Sequence, residues 1–471
     1  MRGGGRIAGL LGVGLLCGAL LAPAAADART IRTAAIVVYF ENEPPPTPGP
    51  DEPVPPDPLD AAEATLFGSG PAAFGWSARH YFQTITYGLV DFAGGGDDVY
   101  GHYEIGPYEG SCAYSQWTRE ATEAAETDGF EASAYDHVVY YLDPSLAAAP
   151  CAYGIGAVGY AFMKGIGPYV TIHELAHGLT DTPGQPGAPH ANAMHCIDTT
   201  TEPYRDATYS DFCIRDDRAD PFDPMGFGLR GPYPLEMSAW RKLEFGAIQS
   251  ADAPIVHYAG TYTIAPLEQS SGVRLLRIRN GAGQFFDLDF RQPIGLYDGT
   301  LSSGEPVTNG VTIRLHPPTF DSPDFPSPQG PYLLDATPET PSYDDAPLMP
   351  GRQFRDFRTG VTVETLSAGP GGATVKIGGL PEPPASCAFS QACGGPRNVG
   401  PCKVPGLKRK KVRAARKAVR KRECRIGKVR RRPSRKVPKG RVISQKPKAG
   451  AQRREGAKVS LVVSSGPPKR R

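Results

Sequence analysis

The chain has 471 residues, 40% of them hydrophobic, with 51 Lys/Arg against 49 Asp/Glu, which is enough for two or three domains with separate cores. That near-neutral balance hides a split. From Lys403 onward 28 basic residues face two acids, Glu423 and Glu455, leaving 23 basic and 47 acidic residues before them. An acidic body and a basic tail require different partners, and no run after the first thirty residues is long and apolar enough to span a bilayer.

Residues 1–28 read as a secretory signal peptide. Arg2 and Arg6 form the positive start, residues 7–21 the apolar core, and Ala24-Ala25-Ala26 or Ala26-Asp27-Ala28 the cleavage site. Cys17 lies within it, and Leu16 before it is too bulky for a lipoprotein site, so it is expected to leave with the signal. Export gives the other eight cysteines an oxidising compartment: Cys112, Cys151, Cys196, Cys213, Cys387, Cys393, Cys402 and Cys424 are disulfide candidates. Sequence order favours neighbours (112 with 151, 196 with 213, 387 with 393, 402 with 424), with other connectivities open. The expected location is secreted, extracellular or associated with the cell wall.

Residues 34–40 predict a buried strand, 44–58 a Pro/Asp/Glu-rich loop, 83–92 a second strand region, 117–127 a helix and 137–142 another inner strand. Strands alternating with helices fit an α+β or α/β domain. The glycine-rich run 151–160 lacks the Lys-Ser/Thr ending of a phosphate loop and reads better as an edge strand and turn lining a peptide cleft.

The chemistry concentrates in the next stretch, Thr171-Ile172-His173-Glu174-Leu175-Ala176-His177-Gly178-Leu179. Histidines four apart lie on one helix face, one turn from each other, and can share a tetrahedral zinc. Glu174 projects beside them as a candidate general base. Ile172, Leu175, Ala176 and Leu179 supply the apolar face. Prolines and glycines over 178–189 end the helix, so the chain turns and His190 can fold back as a third ligand. His195 competes with it and Asp198 is a weaker acidic alternative; His190 is preferred because Gly187 permits the turn. Asp223-Pro224-Met225-Gly226 forms a tight turn presenting Met225, and residues 234–245 predict a helix.

A zinc helix, a Gly-x-x-His and a later Asp-Pro-Met-Gly turn resemble the metzincin metallopeptidases, and most closely the secreted gametolysin family. The segments 87–94, 151–154 and 240–246 are similar to that family as well, and the likeness spans roughly residues 30–380. It implies zinc held by His173, His177 and His190, with Glu174 as general base and Met225 as the Met-turn. The chain departs from the family in the longer spacing before His190.

Short alternating segments over 254–377, separated by Gly, Pro and Asp, predict a β-sandwich. A Pro/Cys-rich linker follows at 381–402. The tail pairs a helix-like 410–422 with strand-like 426–429, 437–445 and 456–464, and 403–467 resembles a single PASTA domain, a module of the bacterial cell surface. The ordered strand pattern argues against a disordered nucleic-acid-binding tail.

The expected architecture is α+β: a metzincin-like catalytic domain over 29–250, a β-sandwich-like domain over 251–380, and a small α+β PASTA module. The expected function is a secreted zinc metalloendopeptidase acting on protein or peptide substrate, held to anionic cell-wall polymers by its basic module. The alternative is an inactive surface adhesion or wall-binding protein on a protease scaffold, for which the spacing before His190 argues.

Overall fold

The computed structural model describes residues 28–43, 57–70, 75–143, 151–179, 188–196, 207–209, 213–230, 233–279, 284–316, 330–382, 402–420, 422, 424–453 and 458–467. The expected signal peptide, most of the loop at 44–58, Gly187, Asp198, Cys387 and Cys393 fall outside them. The fold is mixed α and β, with most elements strands in several sheets.

The first unit is a mainly parallel six-stranded sheet. Its central strand β1 (Arg29–Phe40) is followed by α1 (Pro58–Phe67), α2 (Ala78–Ile85), β2 (Val90–Ala93), β3 (Val99–Ile105), α3 (Tyr114–Glu126) and β4 (His137–Leu142). Next come β5 (Gly154–Ala157), β6 (Tyr160–Lys164) and α4 (Pro168–His177). The strand order is β2-β1-β4-β6-β5, with β3 also on β1; β5 is an antiparallel edge strand. Apolar residues run continuously along β1 because helices cover both its faces. Ala35 and Val37 pack beneath α1, α2 and α4, while Ala34, Ile36, Val38 and Phe40 meet Trp117, Ala121 and Ala125 of α3.

The expectation of strand over 83–92 is corrected. Residues up to Ile85 close α2, whose start is capped by Ser77, and only Val90–Ala93 is extended. Burial of Tyr81, Phe82 and Ile85 against the sheet overrides the β-favouring composition of the segment.

The second unit is a pair of sheets. After α4 the chain forms β7 (Asn192–Cys196), β8 (Ala207–Tyr209), β9 (Cys213–Asp216), the short pair β10 (Leu229–Arg230) and β11 (Tyr233–Pro234), and α5 (Ala239–Glu244). There follow β12 (Ile255–Val256), β13 (Gly260–Ile264), β14 (Leu276–Arg279), β15 (Phe285–Asp289), α6 (Pro306–Asn309), β16 (Thr312–His316) and β17 (Tyr332–Leu334). The unit ends with β18 (Gln353–Asp356), β19 (Thr362–Gly369) and β20 (Gly372–Gly378). One sheet runs β12-β14-β15-β16-β17-β7-β9 and the other β13-β20-β19-β18-β8. Ile278, Phe286 and Leu315 of the first share a core with Ile264, Phe354 and Val375 of the second, as in a sandwich. Strands from 192–216 therefore build sheets made mostly by residues beyond 254. The helix predicted over 234–245 begins only at Ala239, because Pro234 pairs with Leu229.

Cys112 bonds Cys151 and Cys196 bonds Cys213, both as sequence order favoured. Cys424 is also disulfide-bonded. Among the described residues no helix is long and apolar enough to cross a membrane.

Candidate metal centre

Helix α4 begins at Pro168, where the missing N–H costs nothing. Thr171 Oγ1 donates to Gly167 O at 2.8 Å, and Ile172, Leu175 and Ala176 bury into the sheet. That burial fixes the rotation of the helix and turns His173 and His177 to the opposite side. His190 comes back to meet them, and one ligand atom from each of the three histidines lies within 4.8 Å of the others. Ring centroids are 5.1 Å apart for His173 and His177, 5.3 Å for His173 and His190, and 5.0 Å for His177 and His190. Among the described residues this is where three such side chains converge.

Backbone carbonyls fix which ring nitrogen is free. His173 Nδ1 lies 2.9 Å from Pro224 O, and His177 Nδ1 meets Ala188 O. A carbonyl only accepts, so each Nδ1 must carry the proton and each Nε2 keeps its lone pair for a ligand. Burial lowers the pKa of His173 and takes His177 and His190 down to about 3, assisted by their mutual proximity and nearby arginines. Three neutral imidazoles with two tautomers fixed are the donor set a zinc ion needs, so the residues fit the metal.

Glu174 sits between the two helix histidines, buried against edge strand β5. A Cβ at Gly154 would overlap its carboxylate, and one at Gly156 would overlap its backbone oxygen. The glycines of β5 thus let helix and strand touch. Burial pushes the Glu174 carboxyl up to about 7, against the opposing pull of the Arg218 charge and the Gly156 backbone.

Met225 is fully buried, one residue after the carbonyl that orients His173, and its own carbonyl accepts from Ala191 N at 2.9 Å. His195 does not join the cluster; its Nδ1 pairs with Asp335 at 2.8 Å in the sandwich. Of the scattered histidines, His80 bonds Tyr297, His316 packs against Trp240 with the rings tilted, and His137 is buried beside Phe92. Sequence reasoning missed Pro224 O and Ala188 O as orienting groups, because a carbonyl carries no side-chain signature.

The chain beyond residue 402 forms a separate small unit: β21 (Cys402–Lys403), α7 (Val412–Arg420), β22 (Arg425–Arg432), β23 (Val442–Lys446), β24 (Gln452–Arg453) and β25 (Lys458–Ser464). Its three-stranded sheet has the order β22-β25-β23, with β22 and β25 parallel. Ala415 and Val419 of the helix bury against Val442, Val459, Leu461 and Val463. Residues 403–465 match the PASTA domain family. The PASTA domain closes its own core, and its basic residues are left on the outside, as along β22. No curated protein matches the chain.

Proposed function

We propose that this protein is a zinc-dependent metalloendopeptidase kept at the cell wall by its PASTA domain. The observation that carries the reading is the triad of neutral histidines, with the buried carboxyl of Glu174 next to His173 in sequence on the same helix. His173, His177 and His190 would hold the ion. When bound, zinc supplies Lewis-acid polarisation of water and of a substrate carbonyl.

The remaining work falls to the chain. Glu174, with its carboxyl near 7, accepts a proton from the attacking water and hands it to the leaving amine as the C–N bond breaks. Water thus divides between the two products, hydroxyl to the carbonyl carbon and proton to nitrogen. Among the described residues edge strand β5 has a strand partner on one side only, and the other side, next to Glu174, is where an extended peptide can add as a further strand. The PASTA domain points to cell-wall, peptidoglycan-related ligands, and its excess charge to anionic wall polymers.

Glu174→Gln should keep its zinc and lose casein hydrolysis by about 10²–10⁴-fold, since the base is not a ligand. Chelator should abolish wild-type cleavage, and added zinc should restore it. Full activity in Glu174→Gln would sink the mechanism, while zinc without cleavage in wild type would leave a binding protein. His190→Ala should lower bound zinc, measured by atomic absorption, and His195→Ala should not; the reverse would move the third ligand.

A further inference from the structure

We infer that Arg241 is a positioning residue for the third metal ligand, and that the second unit holds His190 in place. The inference rests on the metal reading above. His190 belongs to no helix, so the imidazole goes where its backbone is fixed. Each residue from 189 to 192 is held by a different neighbour. Arg241, fully buried on α5, donates through Nη2 to Pro189 O at 2.6 Å. That bond sets the plane of the peptide linking Pro189 to His190. The His190 carbonyl lies so near Gly330, just before β17, that a Cβ there would overlap it. Ala191 N donates to Met225 O at 2.9 Å, and Asn192 N to Pro331 O at 3.1 Å.

Arg241 is itself fixed. Its Nη1 pairs with Glu244 at 3.2 Å, and its guanidinium lies 5.0 Å over the Trp240 ring. The start of α5 is tied to the turn whose Pro224 carbonyl meets His173. Asp223 accepts from Ser238 N at 3.0 Å and from Met225 N at 3.0 Å, while Ala239 N donates to Asp289 of β15. The circuit is closed: His173 to Pro224, Asp223 to α5, Arg241 to Pro189, and so to His190. Two ligands from separate segments, His173 on α4 and His190 just before β7, are set relative to each other through α5.

The test is a double-mutant cycle read in metal affinity. Zinc affinity is measured by competition with a chromophoric chelator on the full chain, and geometry from the visible spectrum of the cobalt-substituted protein. Arg241→Met should weaken zinc binding by about 10–100-fold and alter the cobalt spectrum. In a His190→Ala background the same change should cost nothing further, because the ligand it positions is gone. Equal losses in both backgrounds, or none in either, overturn the role of Arg241 while leaving the metal centre standing. Failure of wild type to bind zinc brings down the metal reading and this inference with it. Should Arg241→Met not fold, Gly330→Ala presses on the next carbonyl along, that of His190 itself. It should show the same loss, absent in the His190→Ala background; additive loss there overturns the inference.

Discussion

In the second large unit, charged side chains are turned inward. Arg314, 1% exposed, pairs with Asp220 at 2.7 Å and with Asp289 at 2.9 Å. Arg291 pairs with Asp298 at 2.7 Å and donates to Phe222 O, and Lys242 pairs with Glu236. In the PASTA domain the opposite holds. Arg430, Arg431 and Arg432 lie exposed on edge strand β22, and among the described residues no carboxylate pairs with them. Buried ions demand full pairing and fix geometry, because an unpaired one is costly. Exposed like charges fix nothing locally and instead project a field. One region turns its charges into paired, buried contacts near the histidine cluster, and the other leaves them on the surface.

The largest effect expected from breaking this contrast concerns attachment. Removing residues 403–471 should leave cleavage of soluble substrate unchanged and release the protein from isolated cell walls. Full-length retention should fall tenfold or more between about 50 and 200 mM salt, as for other multi-contact polyanion binding. Equal retention of both forms at low salt would remove the outward role of the charges.

Next in size is stability. Arg314→Met strands Asp220 and Asp289 without their cation and should cost about 3–5 kcal/mol in urea unfolding. Arg431→Ser, exposed and unpaired, should stay within about 0.5 kcal/mol. Similar costs for both would erase the distinction.

That difference could not be read along the chain. Arg241 and Lys242 look like the polar face of a helix, yet both are fully buried. A sharper reader of strands had one signal: Asp287 and Asp289 interrupt an apolar run in Phe285–Asp289, and Arg314 sits in Thr312–His316, the strand beside it. Charges at inward strand positions need partners. By contrast the spacing of the helix histidines and the strands at 34–40 and 137–142 were legible from local pattern, and the Cys112–Cys151 and Cys196–Cys213 bonds from sequence order. The glycines of β5 were legible as an edge strand but not as the reason Glu174 fits. The extended reading of 83–92 failed where aromatic burial chose the helix.

The smallest effect is a pH slope. Burial lowers the pKa of His137 to about 4 and that of His316 well below its usual value, so both stay neutral when folded. The unfolded chain takes up those protons near 6.5. Stability is therefore complete above about 6.5 and falls as pH drops toward about 4, by up to about 1.4 kcal/mol per pH unit for each histidine. His137→Gln should flatten that slope in denaturant titrations, and an unchanged slope would refute the assignment. Truncating the PASTA domain, which has no histidine, should leave it as it was.

The pairing of β7 with β17 has a consequence in time. His173 and His177 leave the ribosome early, on a helix that packs against strands already made. The strand that follows His190 finds its parallel partner only when Tyr332–Leu334 has emerged. Until then Asn192 lacks the Pro331 carbonyl to which its N–H donates, and the His190 carbonyl lacks its neighbour Gly330.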